Sequence, residues 1–189
     1  MLDLLITHAT LPDGRQNMSI AVQDGRIAAM GPRLPATEGV EVVDAQGCLL
    51  SPPFVDAHFH MDATLSYGLP RVNASGTLLE GIALWGELRD IATVDDMVTR
   101  ALRYCDWAVS MGLLAIRSHV DVDTDHGLWG IEGVMATRDS WREVIDIELV
   151  AFPQSGLMRR PGTLELMDAA LAAGAEIVGG IDPCGIDRD

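Results

Sequence analysis

The 189-residue sequence contains no lysine, because all thirteen of its basic residues are arginine. Mechanisms that need a lysine amine as nucleophile, a Schiff base or a carbamylated lysine are therefore excluded from this stretch of chain. Thirteen basic residues against 28 acidic ones give a formal net charge of −15, which repels nucleic-acid backbones and anionic lipid surfaces. We therefore expect neither a nucleic acid nor a membrane as a partner.

Long apolar runs and paired cysteines are also scarce. No run of 18 uncharged apolar residues is present, and no basic residue precedes Arg15, so neither a transmembrane helix nor a secretory signal peptide is indicated. The three cysteines are widely spaced and form no CxxC motif, which fits a reducing compartment. These absences predict a cytoplasmic location. The length and the 48% hydrophobic content indicate one globular domain, or one domain with a small appendage.

Two regions of the chain differ in their pattern of predicted strands and helices. Residues 1–51 predict a small antiparallel, β-sandwich-like unit, with a tight hairpin turn at Asp24-Gly25. In residues 52–189, apolar strands alternate with helices of about 10–15 residues, which is typical of a parallel sheet buried on both faces. Four such β/α units are visible, half the number in a (β/α)8 barrel. We predict an α/β TIM-like barrel with only its first four units present, and we expect the coding frame to continue past Asp189.

Capping residues and glycines set the predicted boundaries in the second region. Thr93 and Thr163 are placed to open helices, and Gly112 and Gly174 to end them. The predicted strands are Pro53–His58, Leu113–Val120, Ile147–Phe152 and Glu176–Ile181, and the predicted helices are Leu78–Arg89, Val94–Met111, Gly133–Ile145 and Thr163–Ala173.

His58 and His60 lie two residues apart at the end of the first strand of the barrel region. Because side chains two apart in a strand share a face, both imidazoles can bind one metal ion. Barrel enzymes place their sites at the carboxyl ends of such strands. A His-x-His pair is also frequent by chance, so surface or hydrogen-bonded histidines remain the alternative.

Four blocks of sequence resemble the amidohydrolase superfamily, most closely its cytosine deaminase-like branch. In chain order they are PPFVDAHFHMDAT, NASGTLLEGIALWGELRD, RSHVDVD and VAFPQSG. The resemblance runs from the N-terminal strands to about Ile181. It implies the barrel of a metal-dependent hydrolase, preceded by a small β domain that is composite in the full-length family. It also implies one divalent metal ion, Fe²⁺ or Zn²⁺, held by His58 and His60.

The same resemblance places the remaining metal ligands and the general acid/base on later strands, as a histidine, a glutamate and an aspartate. No catalytic residue is therefore assigned within this chain. Substrate binding is assigned to Gln154, which matches the glutamine that reads the pyrimidine ring. A primary amide suits that role, since it presents a donor and an acceptor side by side. A loop glutamine in water is the alternative.

Three further residues are candidates for the pocket or its surroundings. His119 and Asp121 end the second barrel strand at a spacing of two, and they either orient ligands or form a buried polar cluster satisfied by Arg117 or backbone. Leu79 either borders the pocket or belongs to the core. We further expect Trp85 in the core, His126 in solvent, His8 without a chemical partner and Asp182 in a turn.

These assignments predict a hydrolytic deaminase of a small nitrogen heterocycle, with cytosine, converted by water to uracil and ammonia, as the first choice. The alternatives are isocytosine or another aminopyrimidine, an ammelide-like triazine, a pterin, or a non-catalytic truncated half-barrel. We expect a small heterocycle as partner and homo-oligomers of the full-length protein. A zinc nucleoside deaminase is excluded because Asp187 stands where a second cysteine after Cys184 is needed. A P-loop is excluded because it needs a lysine.

Overall fold

The computed structural model describes residues 2–180, and the chain divides into two compact units, Met1–Pro52 and Pro53–Asp189. The first unit is a four-stranded sheet with the order β3-β2-β1-β4. Its buried core is formed by Ala9, Leu11, Met18 and Ile20. The strands are β1 (Leu4–Ala9), β2 (Met18–Gln23), β3 (Arg26–Gly31) and β4 (Glu41–Asp44).

The hairpin of this first unit forms as predicted, but the unit is not purely antiparallel. Asp24 and Gly25 both have positive φ, 53° and 68°, which a two-residue hairpin turn requires, and β2 pairs antiparallel with β3. By contrast, β4 runs parallel to β1, with Leu4 opposite Glu41. The expectation of an antiparallel unit is wrong here because residues 32–40 are a crossover, which returns the chain in the direction of β1.

The second unit is a parallel four-stranded sheet with the order β5-β6-β7-β8, in which helices follow the strands. Because the strands are parallel, their carboxyl ends lie at one edge. In chain order the elements are β5 (Phe54–Phe59), α1 (Leu78–Arg89), α2 (Val94–Ser110), β6 (Leu113–Asp121), α3 (Trp129–Trp141), β7 (Asp146–Phe152), α4 (Thr163–Ala173) and β8 (Ile177–Val178).

Helix α2 illustrates how local sequence sets an element. The Thr93 hydroxyl accepts from the Asp96 backbone N–H, and the Asp96 carboxylate accepts from the Thr93 backbone N–H, which completes a capping box. Gly112 follows the helix with a φ of 81°. Met97, Ala101, Cys105 and Ala108 are buried at helical spacing and join the core of this unit.

Two predicted boundaries in the second unit are wrong. Helix α3 begins at Trp129 and ends at Trp141, so it starts four residues before the predicted Gly133 and leaves Ile145 outside. The two early glycines of α3 allow close packing: a Cβ on Gly133 would fall 1.8 Å from Met97 Cε. Strand β8 has two residues, and the predicted end at Ile181 lies outside the described residues, as does Asp182. No helix within residues 2–180 is long and apolar enough to cross a membrane.

Candidate active site

Strand β5 separates an apolar face from a polar one at its carboxyl end. Phe59 stacks on Tyr104 of helix α2, with ring centres 4.4 Å apart. Side chains alternate along a strand, so His58 and His60 take the opposite face. Their ring centres are 5.6 Å apart and their planes are inclined by 64°. The shared face predicted from the spacing is therefore present.

Neighbouring strands add two more rings to this face. His119 of β6 stacks on His58 with ring centres 3.9 Å apart, and its ring centre is 5.8 Å from that of His60. Phe152 of β7 meets His60 and His119 edge-on at 5.6 and 5.7 Å. Three consecutive parallel strands thus place three imidazoles and one phenyl ring together at the carboxyl edge of the sheet.

The spacing of His58 and His60 fits the metal ion that the sequence implies. Two imidazoles that bind one ion tetrahedrally through nitrogens at about 2.0–2.1 Å have ring centres about 5 Å apart, close to the observed 5.6 Å. The stacked pair of His58 and His119 is too close for that arrangement. Among the described residues, no three His, Cys, Asp or Glu side chains are arranged to hold a metal ion. His58 and His60 are therefore the pair whose spacing is compatible with one shared ion.

The surroundings of two of these rings favour the neutral form. Burial lowers the pKa of both His60 and His119, and the nearby imidazoles act in the same direction, whereas Asp121 acts in the opposite direction on His60. A neutral imidazole offers the lone pair that a metal ion needs. The Nδ1 atom of His119 is buried and has no hydrogen-bond partner in the structure. A buried polar atom without a partner is uncommon and marks a place where a ligand or water belongs.

Three buried carboxyl groups lie beside the histidines: Asp62, Asp121 and Asp123 are 1%, 4% and 1% exposed. Burial raises the pKa of Asp62 to about 6. Burial and the neighbouring Asp62 raise that of Asp121 to about 7. Burial also acts upward on Asp123, but Arg89 outweighs it, and the pKa of Asp123 is lowered. The edge therefore holds more acidic groups than one guanidinium neutralises.

Gln154 lies just beyond β7, two residues after Phe152. It lines a cavity of about 300 Å³ together with Ile82, Ser155, Arg159 and Arg160. The volume suits a single small heterocycle. Leu79 lies one turn of helix α1 before Ile82 and is 75% exposed, so its place at the pocket stays a prediction.

Several expectations about single residues are wrong. Trp85 is half-buried and is neither in the core of this unit nor among the residues packed against it, and its Nε1–H donates to Oδ2 of Asp121 at 2.8 Å. His126 does not face solvent: its side chain is 14% exposed, and its two ring nitrogens lie 3.3 Å from Asp123 and 3.1 Å from Asp90. Local sequence did not reveal the contacts of Trp85 with Asp121 and of His126 with Asp90, because each joins residues 36 positions apart. Asp123, by contrast, lies three residues before His126 in the same loop.

Two other expected pairings also differ. His8, expected without a partner, lies 2.8 Å from Asp44. Arg117, offered as a partner for His119 and Asp121, pairs instead with Glu148. Adjacent parallel strands place Arg117 directly opposite Glu148, whereas side chains two residues along the same strand lie further apart. The reading in which Arg117 satisfies a buried polar cluster is therefore wrong.

Sequence reasoning missed Asp62, Arg89 and Phe152 as members of this edge. Asp62 carried a usable signal, since it continues the period of two from His58 and His60. Arg89 carried none, because an arginine in the last turn of a helix is ordinarily a surface residue. Its place beside the carboxyl groups depends on how helix α1 packs over the sheet.

Comparison with known proteins places these features in a family. The model of the Amidohydrolase family matches residues 41–139. The N-isopropylammelide isopropyl amidohydrolase of Pseudomonas sp. (strain ADP) is 31% identical over 189 residues, which cover 96% of this chain and 46% of that protein. The chain spans less than half the length of this relative.

Two solved structures are similar in both sequence and fold. The 5-methylcytosine deaminase from Klebsiella pneumoniae, liganded with 5-fluorocytosine, is 38% identical with a TM-score of 0.84, over 93% of this chain and 43% of that one. The N-isopropylammelide isopropylaminohydrolase from Burkholderia multivorans ATCC 17616 is 36% identical with a TM-score of 0.85, over 100% of this chain and 47% of that one.

Proposed function

This chain belongs to the amidohydrolase family, and we propose that it forms part of a metal-dependent deaminase of a small nitrogen heterocycle, with cytosine as the preferred substrate. Four parallel strands with helices between them are the first half of the (β/α)8 barrel that we propose for the whole protein. The observation that carries the proposal is the meeting of His58, His60 and His119 at the carboxyl edge of that sheet.

In this proposal, His58 and His60 hold one divalent ion, and neutral imidazole suits Fe²⁺ and Zn²⁺ equally. When bound, the ion activates a water molecule for attack on the amine-bearing ring carbon. Burial lowers the pKa of His60 and so favours the neutral ring, which has a lone pair available. The stacked ring of His119 and the edge of Phe152 restrict how the two ligand rings can turn.

Substrate recognition is proposed for Gln154. Its amide can pair with a ring N–H next to a carbonyl, and its cavity of about 300 Å³ lies just beyond Phe152. Asp121 and His119 each keep one buried polar atom without a partner. We assign these two atoms to orienting ligands or substrate at the edge. The proton transfers that release ammonia belong to groups outside this chain.

The second candidate substrate is an ammelide-like triazine. It is favoured by the two relatives named as N-isopropylammelide hydrolases, at 31% and 36% identity. Both candidates need the same hydrolytic chemistry and differ in the ring that Gln154 faces. A direct comparison of substrates therefore decides between them.

The test is a metal and turnover assay on the purified 189-residue chain, alone and with a polypeptide that supplies the later β/α units of the family. Ammonia or amine release is measured from cytosine, 5-methylcytosine and N-isopropylammelide. We expect turnover to be fastest with cytosine, to require metal, and to be lost in His58→Ala but not in His8→Ala. Activity that survives His58→Ala contradicts the mechanism. Metal binding without turnover of any substrate favours a non-catalytic half-barrel.

A further inference from the structure

Two side chains of helix α1, one turn apart, reach the carboxyl edge of the sheet. The indole N–H of Trp85 donates to Oδ2 of Asp121 at 2.8 Å, and Nη1 of Arg89 donates to Oδ2 of Asp123 at 2.7 Å. The Arg89 guanidinium also lies over the Trp85 ring, 5.5 Å from its centre. The two contacts differ in kind, because only Arg89 brings a charge.

Asp121 is held on one oxygen and left open on the other. Its Oδ2 accepts from Trp85, and the nearest guanidinium nitrogen, Nη1 of Arg89, is 4.0 Å away from that oxygen. Its Oδ1 is buried and has no hydrogen-bond partner in the structure. The side chain is only 2% exposed, so bulk water does not form a hydrogen bond with that oxygen. A buried oxygen without a hydrogen bond costs free energy.

The open oxygen belongs to the histidine cluster by position. Asp121 and His119 are two residues apart on β6 and share one strand face, and the rings of His58 and His60 lie beside that of His119. Histidines that bind metal ions almost always donate their second ring N–H to a carboxylate, a backbone carbonyl or water, which fixes the ring. In the structure Asp121 Oδ1 bonds to no histidine, and it is a free carboxylate oxygen on the strand face that His119 occupies.

We propose that Trp85 is a positioning residue for the metal site: its indole N–H fixes the Asp121 carboxylate so that the free oxygen orients the metal-binding histidines. This inference rests on the proposed metal site and adds a residue to it from helix α1. A single donor suits the task, since it holds Oδ2 in place and leaves Oδ1 free to accept from a histidine N–H.

A structural role alone is the competing explanation, because the same bond also fastens α1 to the sheet. The two roles separate in metal binding. The 189-residue chain is titrated with Co²⁺, whose visible absorption reports the geometry of its ligands, and the dissociation constant is measured by chelator competition. Trp85→Phe keeps an aromatic ring and removes the donor. Trp107→Phe makes the same change on α2, where the ring is 49% exposed.

We expect Trp85→Phe to weaken Co²⁺ binding about tenfold and to alter the Co²⁺ absorption, within the range typical of groups that support metal ligands. Trp107→Phe should leave both unchanged. Trp85→His, which restores a ring N–H, should bind Co²⁺ more tightly than Trp85→Phe. Equal binding by Trp85→Phe and wild type would overturn the proposal, and so would equal weakening in Trp85→Phe and Trp85→His.

A double-mutant cycle tests whether Trp85 acts through Asp121. Asp121→Asn should weaken Co²⁺ binding by itself, and adding Trp85→Phe to it should weaken binding little further, because residues in one chain of contacts are non-additive. Fully additive losses overturn the positioning role. Wild-type chain that does not bind Co²⁺ at all counts against the proposed metal site rather than against this cycle, so the two failures are distinguishable.

Discussion

The charged side chains at the two edges of the parallel sheet differ in their burial and in their pairing. At the amino edge, a cavity of about 400 Å³ includes Val55, Arg117 and Glu148 in its lining, and no histidine lines it. Arg117 pairs with Glu148 there, and both side chains are 40% or more exposed. Both charges of this pair are therefore matched and in contact with solvent. Exposed pairs of this kind contribute little to stability because solvent screens them.

At the carboxyl edge, Asp62, Asp121 and Asp123 are buried. Arg89 lies within ion-pair distance of Asp121 and Asp123, and Arg100 donates to the backbone carbonyl of Asp62. Asp121 Oδ1 and His119 Nδ1 have no partner there. The cavity of about 300 Å³ that Gln154 lines has no histidine among its lining residues either. The proposed site therefore stands on the buried and incompletely paired polar groups and not on the volume of a cavity.

The largest expected effect comes from removing the guanidinium at each edge. Arg89→Leu leaves buried carboxyl groups uncompensated and should lower the free energy of unfolding by about 3–5 kcal/mol. Arg117→Leu should lower it by less than about 1 kcal/mol. Urea denaturation of both variants measures the difference. Equal losses in the two variants would show that the arginines at the two edges contribute equally to the free energy of unfolding.

Removing an imidazole should act on metal binding rather than on folding. His60→Ala takes one donor from the pair and should weaken Co²⁺ binding by at least about 100-fold, beyond the effect of groups that only support a ligand. His8→Ala, in the first unit, is the matched control and should leave binding unchanged. Chelator competition gives both constants. Unchanged affinity in His60→Ala would remove the carboxyl edge as the metal site.

Adding a methyl group tests how tightly the carboxyl edge is packed. A Cβ at Gly130 would lie 2.9 Å from Val120 Cγ1 and 3.4 Å from Asp62 Oδ2, so Gly130→Ala should destabilise the chain by about 1–3 kcal/mol. Gly86 in helix α1 has nothing within 4 Å of a Cβ, and Gly86→Ala should stabilise by up to about 1 kcal/mol. Thermal melts compare the two. A Gly130→Ala chain as stable as wild type means that the edge can relax.

The smallest effect is expected where charges near α1 are exposed. Hydrogen bonds from Ser75, together with Arg71, lower the pKa of Glu80 to about 2. A carboxyl whose pKa is depressed on folding stabilises above its unfolded pKa, so its contribution is lost as pH falls from about 4.5 through about 2. Wild type should therefore lose stability over that window more than Glu80→Gln does. Parallel pH dependence of the two melting temperatures would contradict this assignment.

Much of the architecture follows from local signals. Helix α2 has a capping box at Thr93 and a positive-φ glycine at Gly112, and both were readable from residue type. The start of α3 could not be predicted in this way, because Leu128 at its N-cap makes no side-chain hydrogen bond. The helix is placed instead by close packing, such as that of Gly133 against Met97. The parallel pairing of β4 with β1 was missed for a related reason. The alternation of side chains predicts that a segment is a strand, but it does not predict which strand it pairs with or in which direction.

The amino-acid sequence by itself determined the alternation of strands and helices and the shared face of His58 and His60, because backbone periodicity relates residues that are close along the chain. Only the tertiary structure decided that His119 stacks on His58 and that Trp85 reaches Asp121, 36 residues away. Strand register and helix placement are set by the burial of the whole core, and no short stretch of sequence contains that information.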